Sequence, residues 1–191
     1  MNQDCFDWQP YYLQADEATR CLDLLWQELC WRQQEILIFG KKVMQPRLVA
    51  WYGDADARYQ YSGLALEPLP WHPVLSDLRT QLEKHCQAPF NSVLANAYRD
   101  GSDSMGWHRD DEPELGPRPV IASLSLGQER RFLLRRNGAD RSEGLLLTHG
   151  SLLVMKGESQ RLYRHSLPRS KRPMGLRINL TFRNTDGQAR A

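Results

Sequence analysis

Two side chains that can bind a metal ion stand two positions apart, at His108 and Asp110. In an extended segment residues i and i+2 point to the same side, so this imidazole and carboxylate can converge on one ion. A chain with five histidines contains such a pair by chance about a quarter of the time, given average aspartate usage. The pair therefore indicates a metal site only if other segments supply further ligands.

The segment 177–183 alternates strictly between polar and apolar side chains. Arg177, Asn179, Thr181 and Arg183 share one face, and apolar residues share the other. A strand half exposed on an antiparallel sheet would show the same pattern. The arginines nevertheless favour a binding site, because a guanidinium group binds a carboxylate through two parallel hydrogen bonds. This face is suited to a small dicarboxylate.

A second histidine, His165, lies between these segments, 55 residues after Asp110 and 12 before Arg177. A single histidine is usually an ordinary surface or core residue, and we expect this of His72 and His149. Two histidines and one carboxylate, however, can hold Fe(II) on one side and leave positions for an oxoacid and dioxygen. The absence of a nearby cysteine argues against structural zinc. The combination predicts an oxygenase.

The elements that must position these residues follow from hydrophobic periodicity. Residues 14–35 and 73–85 have apolar side chains at helical spacing and predict two helices. Residues 36–39 and 48–52 predict a hairpin or two neighbouring strands. Further strands are predicted at residues 92–98, 120–126, 131–135, 145–147, 151–155 and 177–182. This is an α+β, mainly β pattern, typical of a sandwich or barrel rather than a βαβ sheet.

Length and charge limit the class of protein. A chain of 191 residues fits a single domain, and a formal net charge of +2 identifies no partner. The charges are unevenly distributed, since residues 159–185 hold seven basic and no acidic residues, whereas residues 100–114 hold six acids and one arginine. A basic face beside an acidic pocket and solvated loops of opposite sign both fit this distribution.

The cysteines and the apolar runs indicate the cellular compartment and whether the chain crosses a membrane. The four cysteines form no CxxC pair, which predicts free thiols rather than a disulfide framework or a zinc site. The N-terminus lacks the pattern of a signal peptide, and no apolar run approaches the roughly 18 residues of a membrane span. We expect a cytoplasmic monomer that does not bind a membrane.

Four motifs, in order, resemble the AlkB family of Fe(II)/2-oxoglutarate-dependent nucleic-acid dealkylases, especially the members that repair double-stranded DNA. They are Asn-Ala-Tyr-Arg-Asp-Gly at 96–101, His-Arg-Asp-Asp-Glu at 108–112, His-Ser-Leu-Pro at 165–168 and Arg-Ile-Asn-Leu-Thr-Phe-Arg at 177–183. The resemblance covers about residues 36–184. It implies a double-stranded β-helix, or jelly roll, with a dioxygenase core at 91–185. Residues 1–90 would form N-terminal helices and a nucleotide-recognition lid.

The resemblance also implies roles for individual residues. The iron ligands would be His108, Asp110 and His165. The residues around 2-oxoglutarate would be Asn96, Tyr98, Arg177, Asn179, Thr181 and Arg183.

Substrate contacts are implied in the N-terminal half. Tyr59, Gln60, Tyr61 and Ser62 resemble the family's lid over a base flipped out of its stack. Two tyrosines at i and i+2 also fit ordinary sheet packing.

Phe39, Gly40, Lys41 and Arg47 resemble a hairpin that intercalates a side chain and grips the DNA backbone. A phenylalanine buried at a strand end is the alternative reading. Residues 42–45 depart from the family pattern, so the contacts of this loop with DNA stay open.

Asp111 and Glu112 stand beside the metal pair, where a carboxylate would favour a base made cationic by alkylation. Support of the metal ligands or simple solvent exposure would explain them equally well.

The function implied is oxidative demethylation of N-alkylated bases such as 1-methyladenine and 3-methylcytosine in DNA. Fe(II), 2-oxoglutarate and O2 would take part, and an aldehyde, succinate and carbon dioxide would be released. The partner would be alkylated DNA, duplex or single-stranded, or RNA. The same chemistry on RNA, a protein side chain or a small molecule is one alternative. A nucleic-acid-binding module with a non-catalytic metal site is another.

Overall fold

The computed structural model describes residues 1–38, 41–57, 59–61 and 64–185. For residues 36–38, 41, 59–61 and 64–66 it describes the backbone alone. The helices are α1 (Ala15–Glu28), α2 (Pro73–Cys86) and the short α3 (Ser159–Leu162), and a 3-10 turn spans Pro113–Leu115. The strands are β1 (Phe6–Gln9), β2 (Glu35–Ile38), β3 (Lys41–Met44), β4 (Leu48–Gly53), β5 (Tyr59–Tyr61), β6 (Leu64–Leu66), β7 (Ser92–Tyr98), β8 (Met105–His108), β9 (Ile121–Gly127), β10 (Arg130–Arg136), β11 (Glu143–Leu147), β12 (Ser151–Met155), β13 (Tyr163–Leu167) and β14 (Arg177–Arg183).

Two antiparallel sheets form the main body. The larger has six strands in the order β1-β12-β9-β14-β7-β4, and the smaller has four in the order β11-β10-β13-β8. Strands β1 and β4 lie before residue 90 but pair with β12 and β7, which lie after it. The segments before and after residue 90 therefore share one sheet, and the mainly β expectation is confirmed.

The larger sheet is buried on both faces. One face packs against α1 and α2, where Leu25 and Leu78 meet Leu124 and Leu180 in one apolar core. The other face meets the smaller sheet in a second core that includes Ile121. A layer of helices, a large sheet and a small sheet follow one another, so polar groups between the two sheets are shielded from solvent.

Strand β14 shows the predicted alternation with both faces buried. Its apolar side chains, Ile178, Leu180 and Phe182, belong to the core beneath the helices. Its polar side chains point the other way, between the sheets, and Arg177 and Arg183 are only 2% and 6% exposed. A half-exposed surface strand is therefore excluded, because the polar face of such a strand would lie in water.

Helix α1 is shorter than predicted, since it ends at Glu28 rather than near residue 35. Beyond it the backbone turns away, and the N–H and C=O groups of Arg32 bond to Val49 in β4. These bonds satisfy the backbone outside a helix, and they connect residues distant in sequence, so local periodicity could not reveal them. Helix α2 begins at Pro73, as predicted, and ends at Cys86.

The predicted pairing of residues 36–39 with residues 48–52 is wrong. Strand β2 pairs with β3, with Ile38 opposite Lys41, whereas β4 joins the six-stranded sheet. Strands β5 and β6 form a second two-stranded sheet. No helix within these described ranges is long and apolar enough to cross a membrane.

Arg130, on β10, ties together the segments that flank two strands of the smaller sheet. Its guanidinium is buried and donates to the carbonyl oxygens of Asp100 (3.0 Å), Asp103 (2.9 Å) and Pro168 (2.8 Å). The first two carbonyls lie before β8, and the third lies just after β13. One side chain thereby holds the loop that leads into β8 beside the end of β13.

Replacing Arg130 with methionine is expected to lower the free energy of unfolding by about 3 kcal/mol or more, because three carbonyls would lose a charged donor. Chemical denaturation measures this directly. Arg131→Met is the matched control, since this neighbour is exposed on the same strand and its loss should cost about 0.5 kcal/mol or less. Equal stabilities for the two variants would contradict the role given to Arg130.

Candidate active site

The residues predicted to bind iron and 2-oxoglutarate surround one cavity between the two sheets. All nine line it, from β7, β8, the loop after β8, β13 and β14. The lining residues are Leu94, Asn96, Tyr98, Met105, His108, Asp110, Ser123, Phe132, Leu147, Met155, His165, Leu167, Arg177, Asn179, Thr181 and Arg183.

The pairing of β8 with β13 places the two histidines together. His165 lies directly opposite His108 in the antiparallel register, and the ring centroids are 4.2 Å apart. Strand β8 ends at His108, so Asp110 lies just beyond the strand. One potential ligand atom from each of these three residues lies within 4.8 Å of the other two. This is the cluster that the sequence predicted.

The protonation states suit a divalent metal. His108 Nδ1 lies 2.8 Å from the carbonyl oxygen of Gly106, to which it can only donate, so Nε2 is the ring nitrogen available to a metal. Burial, together with the neighbouring His108, lowers the pKa of His165 to about 3, which keeps that imidazole neutral. Neutral imidazole nitrogens are the form that binds metal ions.

Asp110 is an ionised carboxylate although it is 3% exposed. Burial raises its pKa, but the charge and hydrogen bond of Arg183, together with the nearby His165 and His108 imidazoles, outweigh burial and lower it to about 2. Arg183 Nη2 donates to Asp110 Oδ1 at 2.7 Å, and His165 Nε2 lies 4.0 Å from Oδ2. Two imidazoles and one carboxylate at one point are a donor set that Fe(II) accepts.

Arg177 supplies the cavity with a buried positive charge. One Nη atom donates to Ser125 Oγ at 3.1 Å, while Nε has no hydrogen-bond partner among the described residues. Burial lowers the pKa of Arg177 to about 10, so it remains protonated at neutral pH. No carboxylate in the described part of the chain lies within ion-pair distance of it. A buried cation with a spare donor fits a dicarboxylate such as 2-oxoglutarate.

The other predicted co-substrate residues already bond to the protein. Asn179 Nδ2 donates to Ser123 Oγ at 2.9 Å and to the Leu124 carbonyl, and its Oδ1 accepts from Thr181 at 3.1 Å. The Tyr98 ring lies 5.2 Å from the Arg177 guanidinium carbon. These residues form an ordered polar wall beside Arg177.

Arg47 is buried and does not lie at the surface, where a side chain that binds DNA phosphates would lie. It is 4% exposed, and its Nε donates to Asn96 Oδ1 at 2.9 Å. Its guanidinium therefore supports the cavity wall from behind, because a group enclosed by protein cannot contact a phosphate at the surface.

The remaining predicted substrate residues are only partly described. Phe39, Gly40 and Ser62 lie outside the described residues, as do the side chains of Lys41, Tyr59, Gln60 and Tyr61. Asp111 is exposed and pairs with Arg109 at 2.8 Å, and Glu112 is half-buried.

Sequence reasoning missed several residues of the cavity. Ser123 and Ser125 on β9 bond to Asn179 and Arg177, and their alternation with apolar neighbours was a usable signal. Gln160 bonds to the backbone of Asp110 from α3, without any local pattern.

Two other histidines have structural roles, as expected. His72 Nδ1 accepts from Val74 N at the start of α2, and His149 Nδ1 accepts from Gly127 N.

Comparison with known proteins extends these findings. Residues 6–183 match the 2OG-Fe(II) oxygenase superfamily. Alpha-ketoglutarate-dependent dioxygenase alkB homolog 3 of Homo sapiens is 40% identical over 184 residues, covering 91% of this chain. The chain spans 64% of that relative's length. DNA oxidative demethylase ALKBH2 of Mus musculus is 40% identical over 178 residues, covering 89% of this chain and 74% of the relative.

Solved structures show the same fold at lower sequence identity. The structure of OsALKBH1 has a TM-score of 0.67 at 20% identity, covering 96% of this chain and 98% of its own. A prolyl hydroxylase in complex with a hypoxia inducible factor peptide from Trichoplax adhaerens has a TM-score of 0.65 at 15% identity, covering 98% and 87%. These likenesses confirm the predicted double-stranded β-helix. With the sequence matches, they show that the chain belongs to the AlkB family within the 2OG-Fe(II) oxygenase superfamily.

Proposed function

We propose that this chain is an Fe(II)/2-oxoglutarate-dependent dioxygenase that demethylates N-alkylated bases in DNA. The observation that carries the proposal is a single cavity in which His108, Asp110 and His165 converge within 4.8 Å and Arg177 presents a buried charge. A structural metal would need no such charge beside it. A co-substrate with carboxylates does need it.

His108, Asp110 and His165 would hold Fe(II) on one side and leave the remaining positions open toward the cavity. When bound, iron and 2-oxoglutarate supply the oxidising power that uses O2 to hydroxylate an N-alkyl carbon, after which the base is restored and an aldehyde leaves. Arg183 would keep the Asp110 carboxylate ionised and correctly oriented. Arg177 would hold a carboxylate of 2-oxoglutarate, so these side chains position the reactants.

The apolar lining would keep water from the reacting atoms. Phe132, Leu147, Met155 and Leu167 line the cavity and are at most 9% exposed. Excluding water strengthens the electrostatic contacts inside the cavity and protects reactive species from side reactions.

The proposed substrate is alkylated DNA, and the name of the relative DNA oxidative demethylase ALKBH2 supports that class. Asp111 and Glu112 remain candidates for contact with a cationic alkylated base such as 1-methyladenine or 3-methylcytosine. Tyr59 and Tyr61 remain candidates for the lid over that base. We propose duplex DNA as the preferred substrate. Single-stranded DNA and RNA are the alternatives, and activity on a panel of the three substrates would separate them.

We also propose one domain acting as a cytoplasmic monomer, with the recognition region within residues 1–90, of which β1 and β4 belong to the core sheet. Four free cysteines are compatible with a reducing compartment. The rival function, a nucleic-acid-binding module with a non-catalytic metal site, is disfavoured by the spare donor of Arg177.

Asp110→Asn is expected to weaken binding of Mn(II), an air-stable substitute for Fe(II), by more than about 100-fold, because changes to residues that merely hold a ligand already cost 10- to 100-fold. Asparagine keeps the shape but loses the charge. Calorimetric titration of the metal-free protein measures the affinity. Asp111→Asn is the control and should change it by about threefold or less, as expected for an exposed carboxylate. Similar losses in both variants would argue against Asp110 as a ligand.

Arg177→Lys is expected to raise the KM for 2-oxoglutarate about 10-fold or more, since losing one charge-assisted hydrogen bond costs roughly 1.5 kcal/mol. Succinate release at varied 2-oxoglutarate gives this value. Arg20→Lys, at an exposed position of α1, should leave it unchanged. An unaltered KM in Arg177→Lys would contradict the proposed contact between Arg177 and a carboxylate of 2-oxoglutarate.

Incubation with oligonucleotides containing 1-methyladenine or 3-methylcytosine is expected to restore the base and release formaldehyde and succinate, dependent on Fe(II) and 2-oxoglutarate. Phe39→Ala should reduce repair of paired DNA more than repair of single strands, because the resemblance implies a wedge that fills the gap left by a flipped base. Trp26→Ala, an exposed aromatic on α1, is the control. No repair together with no cofactor-dependent succinate would defeat the proposed function.

A further inference from the structure

Gln160 is a buried polar residue that contacts the backbone of one proposed iron ligand and shortly precedes another in the chain. It lies on α3, which leads directly into β13 and His165, and it is 4% exposed. Its Oε1 accepts a hydrogen bond of 2.9 Å from the backbone N–H of Asp110, 50 residues away in the chain. A buried glutamine whose amide reaches a ligand's backbone calls for a specific explanation.

The backbone of Asp110 needs such a partner because it lies outside the sheet. Strand β8 ends at His108, where the ladder with β13 also stops. The N–H of Asp110 is therefore not satisfied by a neighbouring strand, and it is buried from water. The Gln160 side chain takes the place of a strand carbonyl at this position.

The orientation of the Gln160 amide is set by its surroundings. Its Nε2 lies 3.3 Å from Ser159 Oγ and 3.5 Å from Met155 Sδ, both of which can accept. A flipped amide would place its NH2 group against the N–H of Asp110, so two donors would face each other. The oxygen is thus directed at Asp110 by the chemistry on both sides.

We propose that Gln160 is a positioning residue for the metal site, an inference that rests on the proposed iron binding by His108, Asp110 and His165. Through Gln160, the loop that carries Asp110 is tied to the segment that carries His165. The carboxylate is thereby held near both imidazoles before metal arrives, with Arg183 fixing its rotation. Without this bond, part of the free energy of metal binding would be used to order the loop that carries Asp110, and the metal affinity would fall.

The test is titration of Mn(II) into metal-free protein, which requires no catalytic turnover. Gln160→Leu, which removes the acceptor, is expected to weaken Mn(II) binding by about 10- to 100-fold, the range for residues that orient a metal ligand. Gln160→Glu retains an oxygen at the same reach, and its neutral, protonated carboxyl group can still accept from the Asp110 N–H and donate to Ser159 Oγ, so it should recover most of the affinity. Gln160→Asn keeps the amide but is too short to reach the Asp110 N–H, so its Mn(II) affinity should match that of Gln160→Leu.

Ser159→Ala is the matched control. It removes a neighbouring buried hydroxyl that contacts the other end of the same amide, and Mn(II) affinity should change by about threefold or less if the Oε1 bond is what matters. Thermal unfolding of each metal-free variant shows whether it is folded. If Gln160→Leu does not fold, Gln160→Asn and Gln160→Glu are compared instead. Weaker Mn(II) binding by Gln160→Asn than by Gln160→Glu would support the inference.

Equal Mn(II) affinities for Gln160→Asn, Gln160→Glu and the unaltered protein would overturn the inference and leave the iron site standing. A loss in Gln160→Leu no larger than the loss in Ser159→Ala would overturn it as well. An unaltered protein that binds no Mn(II) would instead overturn the proposed iron site, and this inference with it.

Discussion

A carboxylate in a protein interior stays ionised only if positive charge or a metal ion compensates for the loss of water, and Asp110 meets this condition inside the sheet sandwich. Arg183 lies 2.7 Å away on β14, and the two imidazoles face the carboxylate from the other side. Removing Arg183 would leave a buried charge uncompensated until a metal ion binds. The site thus depends on β14 and the smaller sheet remaining at a fixed separation.

The fold provides that separation through its layers. The apolar face of β14 is held by the core beneath α1 and α2, so its polar face is turned toward the smaller sheet. In the smaller sheet, the pairing of β13 with β8 sets His165 opposite His108, and Arg130 anchors the flanking loops. A polar cavity in an otherwise apolar sandwich is tolerated because most of its groups bond to one another. Arg177 Nε has no hydrogen-bond partner among the described residues, and the proposed co-substrate would bind there.

Local patterns predicted much of this arrangement. The period-two alternation of β14 predicted both the strand and its polar face, because side-chain direction in a strand depends only on position. Hydrogen bonds between residues distant in sequence determined the features that local patterns did not predict. Helix α1 stops where Arg32 bonds to Val49, and residues 36–38 pair with β3 rather than β4. Gln160 lies 50 residues from Asp110, and Arg47 turns inward to Asn96, so neither contact leaves a trace in the nearby sequence.

One cavity between the two sheets is proposed to hold both a metal ion and 2-oxoglutarate. A crystal structure of the protein with Mn(II) and 2-oxoglutarate bound without oxygen would test it most directly. We expect one metal ion contacted by both imidazoles and by Asp110, with the oxoacid between that ion and Arg177. A metal ion bound elsewhere, or an oxoacid that makes no contact with Arg177, would contradict it.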